Sequence, residues 1–319
     1  MNHRREWRSI NGVLLLNKPT GISSQQAVTR LRYLYTAAKA GHTGTLDPMA
    51  DGLLPVCFGE ATKFTHMLLD ADKSYLATIR LGITTATGDA EGEVLHTALP
   101  VTDVAQIVSA LSQFRGDVVQ RPPMYSAIRH RGIRLYEYAR KGIEIERAPR
   151  KVTIYQLDLL ESRADTLVIR VRCSKGTYIR TLAEDIGAAL GCGASLAALT
   201  RTKVGELQLD DKCVATLDQL AGMDDAMRMS YVCPVDMLLS TLPALYLDAG
   251  DAARLRQGQQ VRNPTGDAQE LVRAYDLCGV FLGIAQVSND GFVLPRRLVA
   301  CDKQRDNDVL EKSAEFSVK

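Results

Sequence analysis

Between residues 167 and 190 the spacing of apolar side chains changes once, from a period of two to about 3.6. Leu167, Ile169, Val171 and Cys173 alternate with Val168, Arg170 and Arg172, the pattern of a strand with one covered face. Ile179, Leu182, Ala183, Ile186 and Leu190 then recur at steps of three and four, the stripe of a helix lying on a core. Gly191 and Gly193 can end that helix. A half-covered strand feeding an amphipathic helix calls for a sheet with helices packed on it.

The rest of the chain fits such a sheet. Residues 13–16 read as a short buried strand, and Asn17-Lys18-Pro19-Thr20-Gly21 as a turn. Ser23 or Ser24 can cap a helix carrying Val28, Leu31 and Tyr35. Residues 41–59 read as loop-rich, 62–69 as helical and 103–114 as a helix. Tyr75, Ala77, Ile79 and Leu81 alternate as a strand, and 152–160 is another. Helices and strands mix without a regular βαβ rhythm, so the expected class is α+β, with a mixed, largely antiparallel sheet and flanking helices. Residues 218–239 read as mainly helical. Near Thr241 the character changes to short strands, at 271–275, 280–287 and 292–294, with a turn at Ser288-Asn289-Asp290-Gly291. The expected organisation is a catalytic domain over 10–240, a small all-β module over 241–301 and a polar tail over 302–319.

Charge and cysteine usage narrow the class. The total charge is only +2, which by itself implies no partner. Residues 115–151, however, hold ten basic side chains against four acidic ones, a local net charge of +6. A basic surface on a near-neutral chain points to an anionic partner; a solvated face of arginine stems is the plain alternative. The seven cysteines are scattered and never in a C-x-x-C pair, which fits neither a disulfide framework nor a zinc site. Reduced thiols, no apolar run near the ~20 residues of a membrane span and no secretory signal place the expected protein in the cytoplasm, away from membranes. Nothing in the sequence demands more than a monomer.

Three segments can carry chemistry. Gly41-His42-Thr43-Gly44-Thr45-Leu46-Asp47-Pro48 is too rich in glycine for a helix, and Pro48 biases Asp47 to an extended or turning backbone. Asp47 is then either a carboxylate presented on a shaped loop or an Asx-turn residue. His42 beside it can be a base, a nucleic-acid contact or a satisfied loop histidine. Ser174-Lys175-Gly176-Thr177-Tyr178-Ile179-Arg180 joins the strand to the helix. It lacks the glycine spacing of a Walker A loop. Arg180 falls in the first helical turn, where a cation opposes the dipole, so a carboxylate partner such as Asp47 would account for it. Arg121-Pro122-Pro123-Met124-Tyr125-Ser126-Ala127, followed by Arg129, His130 and Arg131, interleaves aromatics with arginines, a composition suited to RNA. The histidines have no metal-ligand spacing.

These motifs, in this order, together with Asn11-Gly12-Val13-Leu14-Leu15-Leu16-Asn17-Lys18-Pro19 and Gly59-Glu60-Ala61-Thr62-Lys63, resemble the bacterial TruB family of tRNA pseudouridine synthases over about residues 10–300. The resemblance implies a pseudouridine synthase fold followed by a PUA-like pseudobarrel that binds RNA. It implies isomerisation of a uridine in the tRNA T-arm loop, with the T-arm stem-loop as partner. By resemblance Asp47 is the catalytic aspartate and Arg180 its ion-pair partner. Tyr75 stacks on the target uracil, Tyr178 and Leu199 line the substrate pocket, and Lys18 is a basic active-site residue. His42 fills the space that the flipped base leaves. Asp51 stands where the family more often has a small hydroxyl or similar residue. The reaction removes no group and oxidises nothing, so neither a metal nor another cofactor is expected. Two other readings stay open on the residues alone. One is an RNA-binding or tRNA-folding protein whose isomerase activity is secondary. The other is a glycoside hydrolase using Asp47 and Asp51.

Overall fold

The computed structural model describes residues 6–264, 266 and 270–300; the expected polar tail over 302–319 lies outside them. Packing divides the chain into two compact units, one up to Cys233 and one from Pro234 onward.

The first unit is built on one large mixed sheet. Its long path uses β1 (Gly12–Lys18), β2 (Asp51–Phe58), β3 (Lys73–Leu81), β4 (Gly116–Gln120), β5 (Arg150–Arg163), β6 (Thr166–Cys173), β7 (Ala194–Val204) and β8 (Val214–Thr216). The order across the sheet is β8-β1-β2-β7-β3-β6-β5-β4. Only the β1/β8 and β2/β7 pairs are parallel. Helices α1 (Ser24–Leu34), α2 (Val104–Ser112) and α3 (Ile179–Ala189) flank it. In β6 the alternation plays out as expected: Leu167, Ile169, Val171 and Cys173 are buried while Arg170 and Arg172 are exposed. In β1 Val13, Leu14, Leu15 and Leu16 are all at 0 % exposure, so this strand is covered on both faces and its sequence is a continuous apolar run.

The loop-rich reading of 41–59 holds for 43–50 but needs correction beyond it. β2 occupies 51–58 and pairs with β1 from Gly12 opposite Phe58 to Lys18 opposite Gly52. Pro55 and two flanking glycines hide it from local reading, yet its apolar run is buried on both faces. Gly52 is required where it is. At φ +97 a Cβ would lie 2.4 Å from the Arg201 carbonyl oxygen of β7. Residues 218–239 are mainly helical, as expected: two six-residue helices, Leu217–Gly222 and Asp225–Ser230, and a 3-10 helix at Val235–Leu239, interrupted by a two-residue strand at Val232–Cys233.

α1 begins at a capping box. The Ser23 hydroxyl accepts from the Gln26 amide, and the Gln26 side chain accepts from the Ser23 amide. α3 packs closely on the sheet through Gly187, whose Cβ would lie 2.2 Å from the Ala194 nitrogen.

The second unit is a curled five-stranded sheet, β9 (Ala244–Leu247), β10 (Val261–Arg262), β11 (Val272–Asp276), β12 (Phe281–Val287) and β13 (Phe292–Leu298), in the order β9-β11-β12-β13-β10. It matches a PUA-like module and carries one helix that the strand pattern did not announce, Ala249–Arg256. Leu245, Leu255, Val272, Leu282 and Val293 form its core.

Candidate active site

A cleft of about 390 Å³ opens over the centre of the large sheet, a size usual for small-ligand sites. Its walls come from the 44–47 loop, β3, β7, the 126–128 segment and the turn into α3. Asp47, Tyr75, Tyr178, Arg180 and Leu199 all line it.

The loop that carries Asp47 is pinned residue by residue. The buried Ser24 hydroxyl donates to the Leu46 carbonyl at 3.0 Å and accepts from the Leu46 amide at 2.8 Å. Arg201 donates to the Gly44 carbonyl at 3.2 Å and the Thr45 carbonyl at 3.4 Å. The Gly21 amide donates to the Pro48 carbonyl at 2.8 Å, and the Ala50 amide to the Asp47 carbonyl at 3.1 Å. The backbone of this loop therefore has its polar groups satisfied by packed elements, and the Asp47 side chain, 38 % exposed, is left facing the cleft.

Arg180 meets that carboxylate. Its Nη2 lies 3.0 Å from Asp47 Oδ2, and its Nε lies 3.6 Å from Asp89 Oδ2. Nη1 donates to the Thr87 carbonyl at 3.0 Å and Nη2 to the Tyr125 carbonyl at 2.6 Å. At 4 % exposure, a guanidinium in the first turn of α3 is tolerated because two carboxylates offset its charge and two carbonyls accept from its planar fork. Asp89 is itself held by the Thr87 hydroxyl and the Glu91 amide.

Tyr75 stands opposite Arg201 and Val171 in the sheet. Burial pushes its phenol up to about 12, with a hydrogen bond from Arg201 acting the other way, so the ring is neutral. Leu199 is 9 % exposed and gives the cleft an apolar wall. Tyr178 is the N-cap residue of α3.

Two expected site residues do not line the cleft. Lys18 is fully buried, and its ammonium donates to the Pro19 and Ile22 carbonyls, each at 2.8 Å. Burial pulls its pKa down to about 8, opposed by the nearby charges of Asp51 and Asp47. It braces the turn that in turn holds Pro48. His42 accepts from the Gly44 amide through Nδ1 at 3.2 Å. Burial and the Arg201 charge hold its pKa below the usual value, so it is a neutral imidazole with its proton on Nε2.

Two cleft residues, Arg201 and Lys73, and one behind the cleft, Asp89, escaped the sequence reading. Asp89 lies in a Thr87-Gly88-Asp89 turn that reads as an ordinary loop. Arg201 lies in a strand with no clean alternation. Lys73, also in the lining, donates to the Leu68, Leu69 and Ala71 carbonyls, and burial pulls it down to about 8. Among the described residues no group of three or more His, Cys, Asp or Glu is arranged to hold a metal ion, and no helix is long and apolar enough to cross a membrane.

Outside the cleft, Arg121, Arg129, Arg131, Arg134, Arg140, Lys141 and Lys151 of the basic segment are exposed.

Comparison with known proteins gives a consistent match. The profile of the TruB family pseudouridylate synthase N-terminal domain matches residues 32–179. The tRNA pseudouridylate synthase B C-terminal domain matches 180–240, and the C-terminal domain of pseudouridine synthase II TruB matches 243–299. A relative from Dechloromonas aromatica, named tRNA pseudouridine synthase B, is 50 % identical over 94 % of this chain and 99 % of its own length. One of the same name from Burkholderia lata is 54 % identical over 92 % of this chain and 91 % of its own. Among solved structures, the chain is similar to one in a Cbf5-Nop10-Gar1 complex, with a TM-score of 0.66 at 26 % identity, covering 89 % of this chain and 85 % of that one. A chain in an H/ACA RNP bound to a substrate RNA shares the fold, with a TM-score of 0.69 at 23 % identity, covering 91 % and 85 %.

Proposed function

The chain belongs to the TruB family of pseudouridine synthases, enzymes that form pseudouridine in tRNA, and on that premise we propose that its target is a uridine in the T-arm loop. We assign the chemistry to Asp47, with no cofactor, in a cytoplasmic monomer. The observation that carries this reading is the Asp47 carboxylate itself, 3.0 Å from Arg180 and facing a cleft walled by Tyr75, Tyr178 and Leu199.

The reaction breaks the bond between uracil N1 and the ribose, turns the base, and joins C5 to the same sugar carbon. The proton on C5 leaves and N1 gains one, so atoms and electrons balance within the nucleotide. Asp47 serves as a carboxylate toward the sugar or the base, as a nucleophile or as the acceptor of a sugar proton. Either role needs one oriented oxygen, and the Arg180 fork supplies the orientation. The uridine first leaves its stack, which costs a few kcal/mol. Stacking on the neutral Tyr75 ring and contact with Leu199 offset that cost. The exposed arginines of the basic segment take the phosphates, which makes binding salt-sensitive. His42, beside the Asp47 loop, occupies the space that the flipped base leaves. Lys18 acts by bracing the loop rather than by touching substrate. The 10–240 region does the chemistry and the 241–301 module adds a second RNA contact.

Mapping pseudouridine on a full, unmodified tRNA transcript, by chemical adduct and primer extension, tests the substrate claim. A single T-loop stop is expected. Stops elsewhere, or none, would remove the T-arm assignment.

A further inference from the structure

The basic segment leaves the sheet at Gln120, the last residue of β4, and returns at Arg150, the first residue of β5. These two residues are register partners, so they form the root from which the 121–149 segment projects. Both reach Tyr178. The buried Gln120 side chain donates through Nε2 to the Tyr178 carbonyl at 3.2 Å and accepts through Oε1 from the Tyr178 amide at 3.0 Å. It grips that one residue as a neighbouring strand would. The Arg150 guanidinium lies over the Tyr178 ring, 5.4 Å from its centroid, within cation–π range.

The start of α3 needs such a grip. Helices usually begin at a Ser, Thr, Asp or Asn whose side chain fixes the first turn. Here the N-cap residue is Tyr178, whose side chain makes no capping bond and whose ring lines the cleft. Its carbonyl already accepts from the Leu182 amide, so Gln120 fixes the helix start from outside. Two residues on, Arg180 donates to the carbonyl of Tyr125, which lies within the basic segment. The segment thus touches the first turn of α3 at three places, and that turn presents the side chain that orients Asp47.

We infer that Gln120 and Arg150 form a clamp that ties the basic, RNA-facing segment to Tyr178 and, through the first turn of α3, to the Arg180–Asp47 pair. They are positioning residues: they act on the reaction through Tyr178 and Arg180. The inference rests on the cleft being the site of isomerisation. RNA held by the segment therefore sets the geometry of the cleft as well as the affinity of the complex. A displacement of about 1 Å at a reacting group is enough to cost two orders of magnitude in rate.

The test uses the full chain and unmodified tRNA transcript. Single-turnover rates and equilibrium affinities are measured at one salt concentration for wild type, Gln120→Leu, Arg150→Leu and Arg150→Lys. Gln120→Leu should slow the chemical step about 10- to 100-fold with affinity within about twofold of wild type. Arg150→Leu should slow it about 2- to 5-fold, and Arg150→Lys, which keeps a cation over the ring, should recover part of that. Wild-type rates in both Leu variants would overturn the clamp, as would an Arg150→Leu variant whose only defect is affinity, the mark of a plain phosphate contact. If Gln120→Leu melts well below wild type, the Arg150 pair decides alone, because Arg150 is only half-buried. A wild type that makes no pseudouridine in tRNA would sink the underlying reading and the clamp together. An active wild type with full-rate variants would sink the clamp only.

Discussion

Arg180 and Arg201 both lie beneath the cleft, at 4 % and 2 % exposure, and their charges are met in different ways. Arg180 faces two carboxylates and two carbonyls. Arg201 faces the Leu53, Gly44 and Thr45 carbonyls and the Tyr75 phenol, and burial lowers its pKa from the usual arginine value. Among the described residues no carboxylate comes within ion-pair distance of it. One arginine holds the Asp47 side chain by charge; the other holds the main chain of the same loop by hydrogen bonds. Asp47 is thus fixed twice, at its carboxylate and at its backbone. The uncompensated charge on Arg201 also leaves the cleft floor positive, which suits a polyanionic substrate.

Removing Arg180 should do the greater damage. Arg180→Met leaves Asp89 buried beside Glu184 without its cation, and burial with neighbouring acids already holds the Glu184 carboxyl above its usual range. Breaking a buried pair in this way costs about 3–5 kcal/mol, so a lowered melting temperature is expected together with loss of isomerisation. A stable, inactive variant would show that the pair serves chemistry alone. Arg201→Met removes hydrogen bonds but strands no carboxylate. It should cost about 1–3 kcal/mol, with the rate falling because the Gly44 and Thr45 carbonyls lose their donor. Equal damage from the two substitutions would break the distinction between them. Asp89→Asn keeps the shape and removes one of the two charges on Arg180. A smaller loss of rate is expected, read in single turnover, and a full loss would make Asp89 as central as Asp47.

The smallest effect concerns pH. Lys18 has a folded pKa lowered to about 8 from 10.5, so between those values the unfolded chain binds more protons than the folded one. Its contribution to stability therefore rises with pH across that window. Denaturant melts at pH 7 and pH 10 should show wild type gaining on Lys18→Met as pH rises. A constant difference would mean that Lys18 titrates normally.

Much of this site was legible because its signals are local. Pro48 marks Asp47, the first turn of α3 makes Arg180 conspicuous, and the alternation around Tyr75 and Leu167 places two central strands. The rest depends on pairing across the sheet. β2 carries Pro55 and two flanking glycines, and only its full-length partner β1 makes it a strand. Arg201 lies in β7, whose sequence shows no clean alternation, and its burial comes from sitting against Gly52 of β2. Asp89 looks like a turn residue until α3 brings Arg180 to it. Lys18 and His42 carry the right chemistry in the right motifs, yet their side chains turn to backbone groups beside the loop.

If Asp47 acts on the substrate and is not merely a turn residue, Asp47→Asn must separate rate from binding. Single-turnover isomerisation of tRNA by this variant, with affinity measured in parallel, should show a rate lower by roughly 1000-fold or more with tRNA bound as tightly as by wild type. A variant that isomerises at the wild-type rate, or one that loses affinity in step with its rate, would contradict a direct role for Asp47.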